Sequence, residues 1–242
     1  MSDRNVIVKN ASELVTCAGF KAKCGPEMSE LHVIEDGAVV IRDGVIAAVG
    51  PTHKALAGVI ETEFTVIDAS GKAVLPGFID SHTHLVFGGY RAEEFGWRLR
   101  GDSYMEIMQR GGGIVNSVKA TRKASRQQLV ASGIQRLNSM LSFGVTTVEG
   151  KSGYGLDRDT EIKQLEVMRE LNRIHPVDVV PTFLGAHAVP DEFKGREDAF
   201  IDLMISEVMP LAAADGLSEF CDVFCEKGVF SIEQSRRLLL KA

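Results

Sequence analysis

The feature that most constrains the fold is an alternation of apolar strands with amphipathic helices, which begins at Pro76-Gly77. Four runs rich in β-branched and aromatic residues follow one another along the chain, at 78–84, 146–149, 177–187 and 220–226. Apolar strands separated by helices are typical of a parallel sheet that is covered by helices. The pattern therefore predicts an α/β domain over residues 73–242.

The helices between these strands have recognisable ends. Ser125 precedes an apolar-periodic run that stops at Gly144, and Ser231 opens a capping-box sequence. Another helix begins near Glu197, and Pro210 is expected to break or kink it, because proline lacks the amide hydrogen that a helix interior needs.

Residues 1–72 have a different pattern, made of short strands and turns. Asp43-Gly44 lies between β-branched runs and predicts a tight hairpin. This part of the chain is predicted to be a small all-β module, and it carries no obvious chemistry.

Two parallel-sheet architectures compete for residues 73–242. An open dinucleotide-binding sheet would place a G-x-G-x-x-G loop after its first strand, but that strand ends in His82-Thr83-His84. A (β/α) barrel fits better, and its chemistry lies at the carboxyl ends of the strands.

His82 and His84 are the first candidate functional residues. Side chains at i and i+2 of a strand point to the same face, so the two imidazoles project together. Imidazole binds zinc, iron and nickel, and a bound divalent ion lowers the pKa of its water to about 7. The alternative is two buried histidines with hydrogen-bond partners. The pairing at the end of an apolar strand favours the metal site.

Composition excludes several other classes of protein. The net charge is −6 without a basic run, which disfavours nucleic-acid binding. No stretch of about 18 apolar residues predicts a membrane span, and no signal peptide opens the chain. The four cysteines form no C-x-x-C pair and are expected to be reduced thiols in the cytoplasm.

Five segments carry a resemblance to a known family. VLPGFIDSHTH at 74–84 resembles the signature of the amidohydrolase superfamily. A narrower resemblance to the imidazolonepropionase family rests on four further segments: LVFGGYR at 85–91, GKSGYGL at 150–156, PTFLGAH at 181–187 and DVFCE at 222–226. The likeness extends from about Gly37 to the end of the chain.

The resemblance implies a fold, a reaction and a set of site residues. The family combines a metal-bearing TIM-like barrel with a small β-sandwich, of which residues 1–72 are expected to form an incomplete module because its other strands come from beyond the barrel. It opens the ring of 4-imidazolone-5-propanoate to N-formimidoyl-glutamate in histidine degradation, with one zinc or iron ion per active site. His82 and His84 correspond to metal ligands. Arg91, Tyr154 and His187 correspond to residues that bind a small substrate with a carboxylate.

Each substrate residue has an alternative role. Arg91 could form a surface ion pair with Glu93 or Glu94, Tyr154 could serve loop packing, and His187 could be a third metal ligand. Two further residues have no assigned role. Glu226 is expected to end the fourth strand, and the adjacent Lys227 could be a carbamylated bridge, as in some two-metal relatives.

The barrel is incomplete, because four strand–helix units are predicted where a closed barrel needs eight. The other metal ligands and the general acid/base, whose identity is unknown, are expected beyond Ala242. The chain is therefore interpreted as a first half-barrel, inactive alone, and a homodimer is left open. Two other functions remain: another cyclic-amide hydrolase or deaminase on this scaffold, or a non-catalytic scaffold.

Overall fold

The computed structural model describes residues 4–19, 21–103, 106 and 112–242. It divides into two compact units, Met1–Pro76 and Gly77–Ala242. The sequence pattern places the division four residues earlier, after residue 72.

The first unit is a five-stranded sheet. The strands are β1 (Val6–Val15), β2 (Val33–Arg42), β3 (Val45–Pro51), β4 (Thr65–Asp68) and β5 (Ala73–Val74). Their order is β3-β2-β1-β4, with β5 also paired to β1. A one-turn helix, α1 (Thr52–Ala55), follows β3.

The predicted hairpin is confirmed at Asp43-Gly44. Arg42 pairs with Val45 across antiparallel strands, and both loop residues have positive φ, 52° and 82°, as a type I′ turn requires. The described residues of this unit form one sheet and not two facing sheets, so the expected β-sandwich is not confirmed.

The second unit contains the parallel sheet that the strand–helix alternation predicts. Its strands are β6 (Phe78–Thr83), β7 (Val145–Lys151), β8 (Asp178–Ala186) and β9 (Phe220–Val223). They are parallel and lie in sequence order. A four-stranded parallel sheet of this order is consistent with part of a TIM barrel.

Helices connect and cover these strands. They are α2 (Ala92–Leu99), α3 (Ile114–Lys123), α4 (Arg126–Ser142), α5 (Arg158–Ile174), α6 (Glu197–Leu203), α7 (Met209–Ala214) and α8 (Ile232–Lys241). Capping boxes at Ser125 and Ser231 are confirmed. None of the helices among the described residues is long and apolar enough to cross a membrane.

Pro210 does not end the helix that contains it. The backbone widens into a π-helical turn, Met204–Val208, between α6 and α7. Pro210 then falls in the first turn of α7, where the missing amide hydrogen removes no regular helix bond. The predicted break is therefore a local change of helix type.

The core of this unit lies between the sheet and the helices α4 and α5. Leu129 and Leu137 of α4 and Leu165 and Leu171 of α5 are fully buried. The two outer strands are less covered, because Phe78 and Ile79 on β6 and Phe220 on β9 are exposed. The sheet therefore presents apolar side chains at both of its edges.

Candidate active site

Four of the predicted site residues meet at the carboxyl ends of three neighbouring strands. His82 lies near the end of β6 and His84 just after it, Tyr154 follows β7, and His187 follows β8. The rings of His84 and His187 stack with centroids 4.6 Å apart, and the Tyr154 ring lies 4.8 Å from that of His84. The His82 and His84 centroids are 6.3 Å apart.

His84 is a neutral imidazole in this arrangement. Burial, followed by the charges of His187 and His82, lowers the pKa of His84 to about 3. Its Nδ1 atom is buried and has no hydrogen-bond partner. An unpaired buried polar atom costs about 1–3 kcal/mol, which a ligand at this atom would relieve. The residue therefore offers a lone pair to a bound cation.

His187 has a defined tautomer. Its Nδ1 atom lies 2.9 Å from the carbonyl oxygen of Gly153, so Nδ1 carries the hydrogen and donates it. Burial lowers the pKa of His187, although the bond to Gly153 acts in the opposite direction. The remaining nitrogen, Nε2, is therefore the acceptor that His187 presents.

The two imidazoles suit a divalent metal ion, but the ligand set is incomplete among the residues that the structure describes. A catalytic zinc ion usually has three protein ligands and a water molecule. Among the residues that the structure describes, no group of three or more histidine, cysteine, aspartate or glutamate side chains could hold an ion. His82 and His84 therefore fit as part of a ligand set.

Tyr154 lies in a tightly packed loop, residues 152–156. Gly153 has a φ of 99°, and a β-carbon there would lie 2.7 Å from the carbonyl oxygen of Leu184. Only glycine fits this approach of the loop to β8. Burial raises the pKa of the Tyr154 hydroxyl, and the positive charge of Arg91 opposes this effect. The hydroxyl is therefore a hydrogen-bond donor at neutral pH.

Arg91 precedes α2 and forms the ion pair that the sequence offered as its alternative role. Its Nη1 atom lies 3.7 Å from Glu94 Oε2, and the Arg91 side chain is 41% exposed. Glu94 is buried and also accepts a hydrogen bond from the backbone amide of Gly113 at 2.9 Å. The long separation and the exposure of the Arg91 side chain keep this ion pair weak, so the guanidinium remains available to another carboxylate.

The sequence reasoning missed a partly buried ionic network next to this site. Lys151, at the end of β7, donates hydrogen bonds to Glu149 Oε1 at 2.7 Å and Asp222 Oδ2 at 2.9 Å. Thr182 of β8 donates to the same oxygen of Glu149 at 2.7 Å. The network therefore joins β7, β8 and β9. Glu149 and Lys151 have the same i, i+2 spacing as the two histidines, which could have identified them.

The charges in this network stabilise one another. Burial lowers the pKa of Lys151, but its hydrogen bonds to Glu149 and Asp222 outweigh burial and raise that pKa. Burial raises the pKa of Asp222, but the hydrogen bonds from Lys151 and the Val223 amide, together with the positive charge of Lys151, outweigh burial, and that pKa is lowered. Lys151 and Asp222 are therefore both charged at neutral pH.

The expectation that Glu226 ends the fourth strand is wrong, because β9 ends at Val223. Glu226 and Lys227 are both exposed, and they occupy the turn that precedes α8. Neither contacts the histidine cluster through any described hydrogen bond or ion pair.

The chain is similar over its whole length to known proteins. Residues 65–116 match the Amidohydrolase family. The chain is 57% identical over its whole length to an imidazolonepropionase of Clostridium tetani, and 60% identical to one of Parabacteroides distasonis. It spans 58% of the length of each of these curated relatives.

Solved structures give the same fold. Guanine deaminase of E. coli superimposes with a TM-score of 0.53 at 18% identity, over 97% of this chain and 50% of that chain. A triazine hydrolase variant superimposes with a TM-score of 0.54 at 15% identity, over 87% of this chain and 42% of that chain. At this level of identity the likeness concerns the fold alone.

Proposed function

We propose that the chain belongs to the amidohydrolase superfamily and supplies part of an imidazolonepropionase active site, because it is 57% and 60% identical over its whole length to two curated imidazolonepropionases. The reaction is hydrolysis of the cyclic amide of 4-imidazolone-5-propanoate to N-formimidoyl-glutamate in histidine degradation. The observation that carries the proposal is the cluster of His82, His84, Tyr154 and His187 at the carboxyl ends of adjacent strands.

His82 and His84 are the proposed protein ligands for one divalent ion, zinc or iron. The unpaired Nδ1 atom of His84 and its low pKa support this role, since only a neutral imidazole can ligate. When bound, such an ion polarises a carbonyl oxygen and lowers the pKa of water to about 7. The remaining ligands and the general acid/base are proposed to come from residues beyond Ala242.

The other site residues bind and orient the substrate. Arg91 exchanges its weak pairing with Glu94 for the substrate's propanoate, because guanidinium and carboxylate form two parallel hydrogen bonds. The Tyr154 hydroxyl donates to an oxygen of the substrate. His187, held through Nδ1 by the Gly153 carbonyl, presents Nε2 to a substrate N–H group. The proposed substrate is therefore a small molecule with a carboxylate.

A cytoplasmic location stays a prediction.

A chimeric enzyme tests this function. This chain replaces the matching segment of the Clostridium tetani relative, and ring opening is followed by the loss of imidazolone absorbance with zinc or iron. The proposal is supported if the chimera turns over the substrate and the His82→Ala variant of the chimera does not. A folded, metal-loaded chimera without turnover contradicts it, and favours a scaffold without catalysis. Equal turnover of an imidazolone without the propanoate favours another cyclic-amide hydrolase.

A further inference from the structure

A buried carboxyl group binds the backbone of the loop that carries Tyr154. Glu161 of α5 is fully buried, and its Oε2 atom accepts a hydrogen bond from the Gly153 amide at 3.0 Å. Its Oε1 atom accepts from the amides of Gly155 and Leu156, both at 2.8 Å. One side chain thus binds three of the four backbone amides of residues 153–156.

A second buried side chain, that of Gln164, connects the loop to the segment that follows β6 and His84. Gln164 lies three residues after Glu161, so both project from the same face of α5. Its Oε1 atom accepts from the Tyr154 amide at 3.2 Å, and its Nε2 atom donates to the Val86 carbonyl at 2.7 Å. Val86 follows His84 by two residues. Glu161 and Gln164 together therefore connect the loop that carries Tyr154 to the segment that follows His84.

The loop conformation needs such support. Leu156 is buried with a φ of 53°, a region that residues with a β-carbon rarely adopt. A β-carbon on Gly155 would lie 2.7 Å from the backbone nitrogen of Glu161. A strained and crowded backbone persists only where its surroundings determine it. The hydrogen bonds that Glu161 accepts from the loop amides supply that determination.

Helix capping does not explain Glu161. Asp157 already caps α5, since its side chain accepts from the Thr160 amide at 2.7 Å. Burial raises the pKa of Glu161, and the hydrogen bonds that oppose this effect all come from residues 152–156. The buried carboxyl group therefore acts on the loop and not on its own helix.

We propose that Glu161 and Gln164 are positioning residues that set the orientation of Tyr154 against His84 and His187. The importance of this orientation for the substrate rests on the proposed function. The positioning itself does not, because it concerns only contacts within this chain. Helix α5 therefore does more than cover the sheet, because its side chains also position Tyr154.

Glu161→Gln is the first test, because the volume is kept while one acceptor oxygen becomes a donor. The variant cannot hold both the Gly153 amide and the pair at Gly155 and Leu156. Glu166→Gln is the matched control, since Glu166 lies on the same helix and pairs with Arg126 at the surface. Gln164→Glu is the second variant: it keeps an acceptor for Tyr154 but loses the donor to Val86.

The first readout is amide hydrogen exchange of this chain. We expect exchange in residues 153–156 to rise at least about tenfold in Glu161→Gln, with β8 and α4 unchanged. The second readout is the ring resonance of ¹³C-labelled Tyr154, assigned with Tyr154→Phe. Contact with two imidazole rings shifts this resonance, and we expect it to move toward the value of a free tyrosine.

Three outcomes overturn the proposal: no change in the loop, a uniform rise across the unit, or the same change in Glu166→Gln. If Glu161→Gln does not fold, Gln164→Glu decides on the same two readouts. Neither readout needs substrate or metal. Failure here therefore leaves the proposed function standing, and failure of the ring-opening assay leaves the positioning role standing.

Discussion

Replacing Lys151 with methionine tests the partly buried network that joins β7 to β9. The substitution keeps the side chain's length and removes its charge, which leaves Glu149 and Asp222 without their shared cation. Removing one partner of a fully buried pair costs about 3–5 kcal/mol, whereas an exposed pair contributes at most about 1 kcal/mol.

The exposure of the partners sets the expected magnitude between these limits. The Lys151 side chain is 6% exposed and that of Glu149 is 19% exposed, but that of Asp222 is 43% exposed. Water can therefore solvate part of the carboxylate charge that the variant leaves behind. We expect Lys151→Met to lower the free energy of unfolding by about 2–4 kcal/mol.

The assay is urea unfolding followed by fluorescence of the single tryptophan, Trp97, which lies in α2 of the same unit. Lys194→Met is the control, because Lys194 forms an exposed pair with Asp191 and should change stability by less than about 0.5 kcal/mol. An equal, small loss in both variants would refute the reasoning, because it would mean that the Lys151 network contributes no more than a surface pair.

The pH dependence gives an independent check. The raised pKa of Lys151 means that its contribution is complete below the unfolded value of about 10.4 and is lost as pH rises through the folded value. The lowered pKa of Asp222 means that its contribution is present above about 3.9 and is lost as pH falls through the folded value. The stability difference between wild type and Lys151→Met should therefore be widest between these two values.

Three further predictions concern the site and the edges of the sheet. His82→Ala/His84→Ala should lower the zinc content of the chimera from about one ion per chain, measured by elemental analysis; unchanged content would contradict the ligand assignment. Arg91→Ala should reduce kcat/KM for the propanoate substrate by a factor equivalent to about 2–5 kcal/mol, and an equal loss with an uncharged analogue would give Arg91 another role. The chain alone should lack turnover and associate through the exposed Phe78 and Phe220, which light scattering measures; an active monomer would contradict this.

Much of the second unit follows from local sequence. The strand–helix alternation predicts the parallel sheet, and the Ser125 and Ser231 capping boxes need only the sequence of a few neighbouring residues. The first unit is harder, because strand propensity does not decide whether strands form one sheet or two. The extent of β9 was overestimated because the apolar Val223-Phe224 pattern continues past the last residue that pairs with β8.

The contacts that support the site could not be predicted in the same way. Lys151 and Asp222 are 71 residues apart in sequence, so their contact depends on the register between strands. Glu161 and Gln164 are polar residues on a helix, which ordinarily indicates an exposed face. Their burial follows from the path of the loop that contains Tyr154, and that path depends on the positive φ values of Gly153 and Leu156.

The most direct test of the central claim is a crystal structure of the zinc-loaded chimera with a bound propanoate analogue. We expect an anomalous difference peak about 2.0–2.1 Å from a nitrogen of both His82 and His84. We also expect the carboxylate to bind Arg91, with Tyr154 and His187 against the ring of the analogue. A zinc peak away from the two histidines, or a carboxylate bound elsewhere while Arg91 keeps its pairing with Glu94, would contradict it.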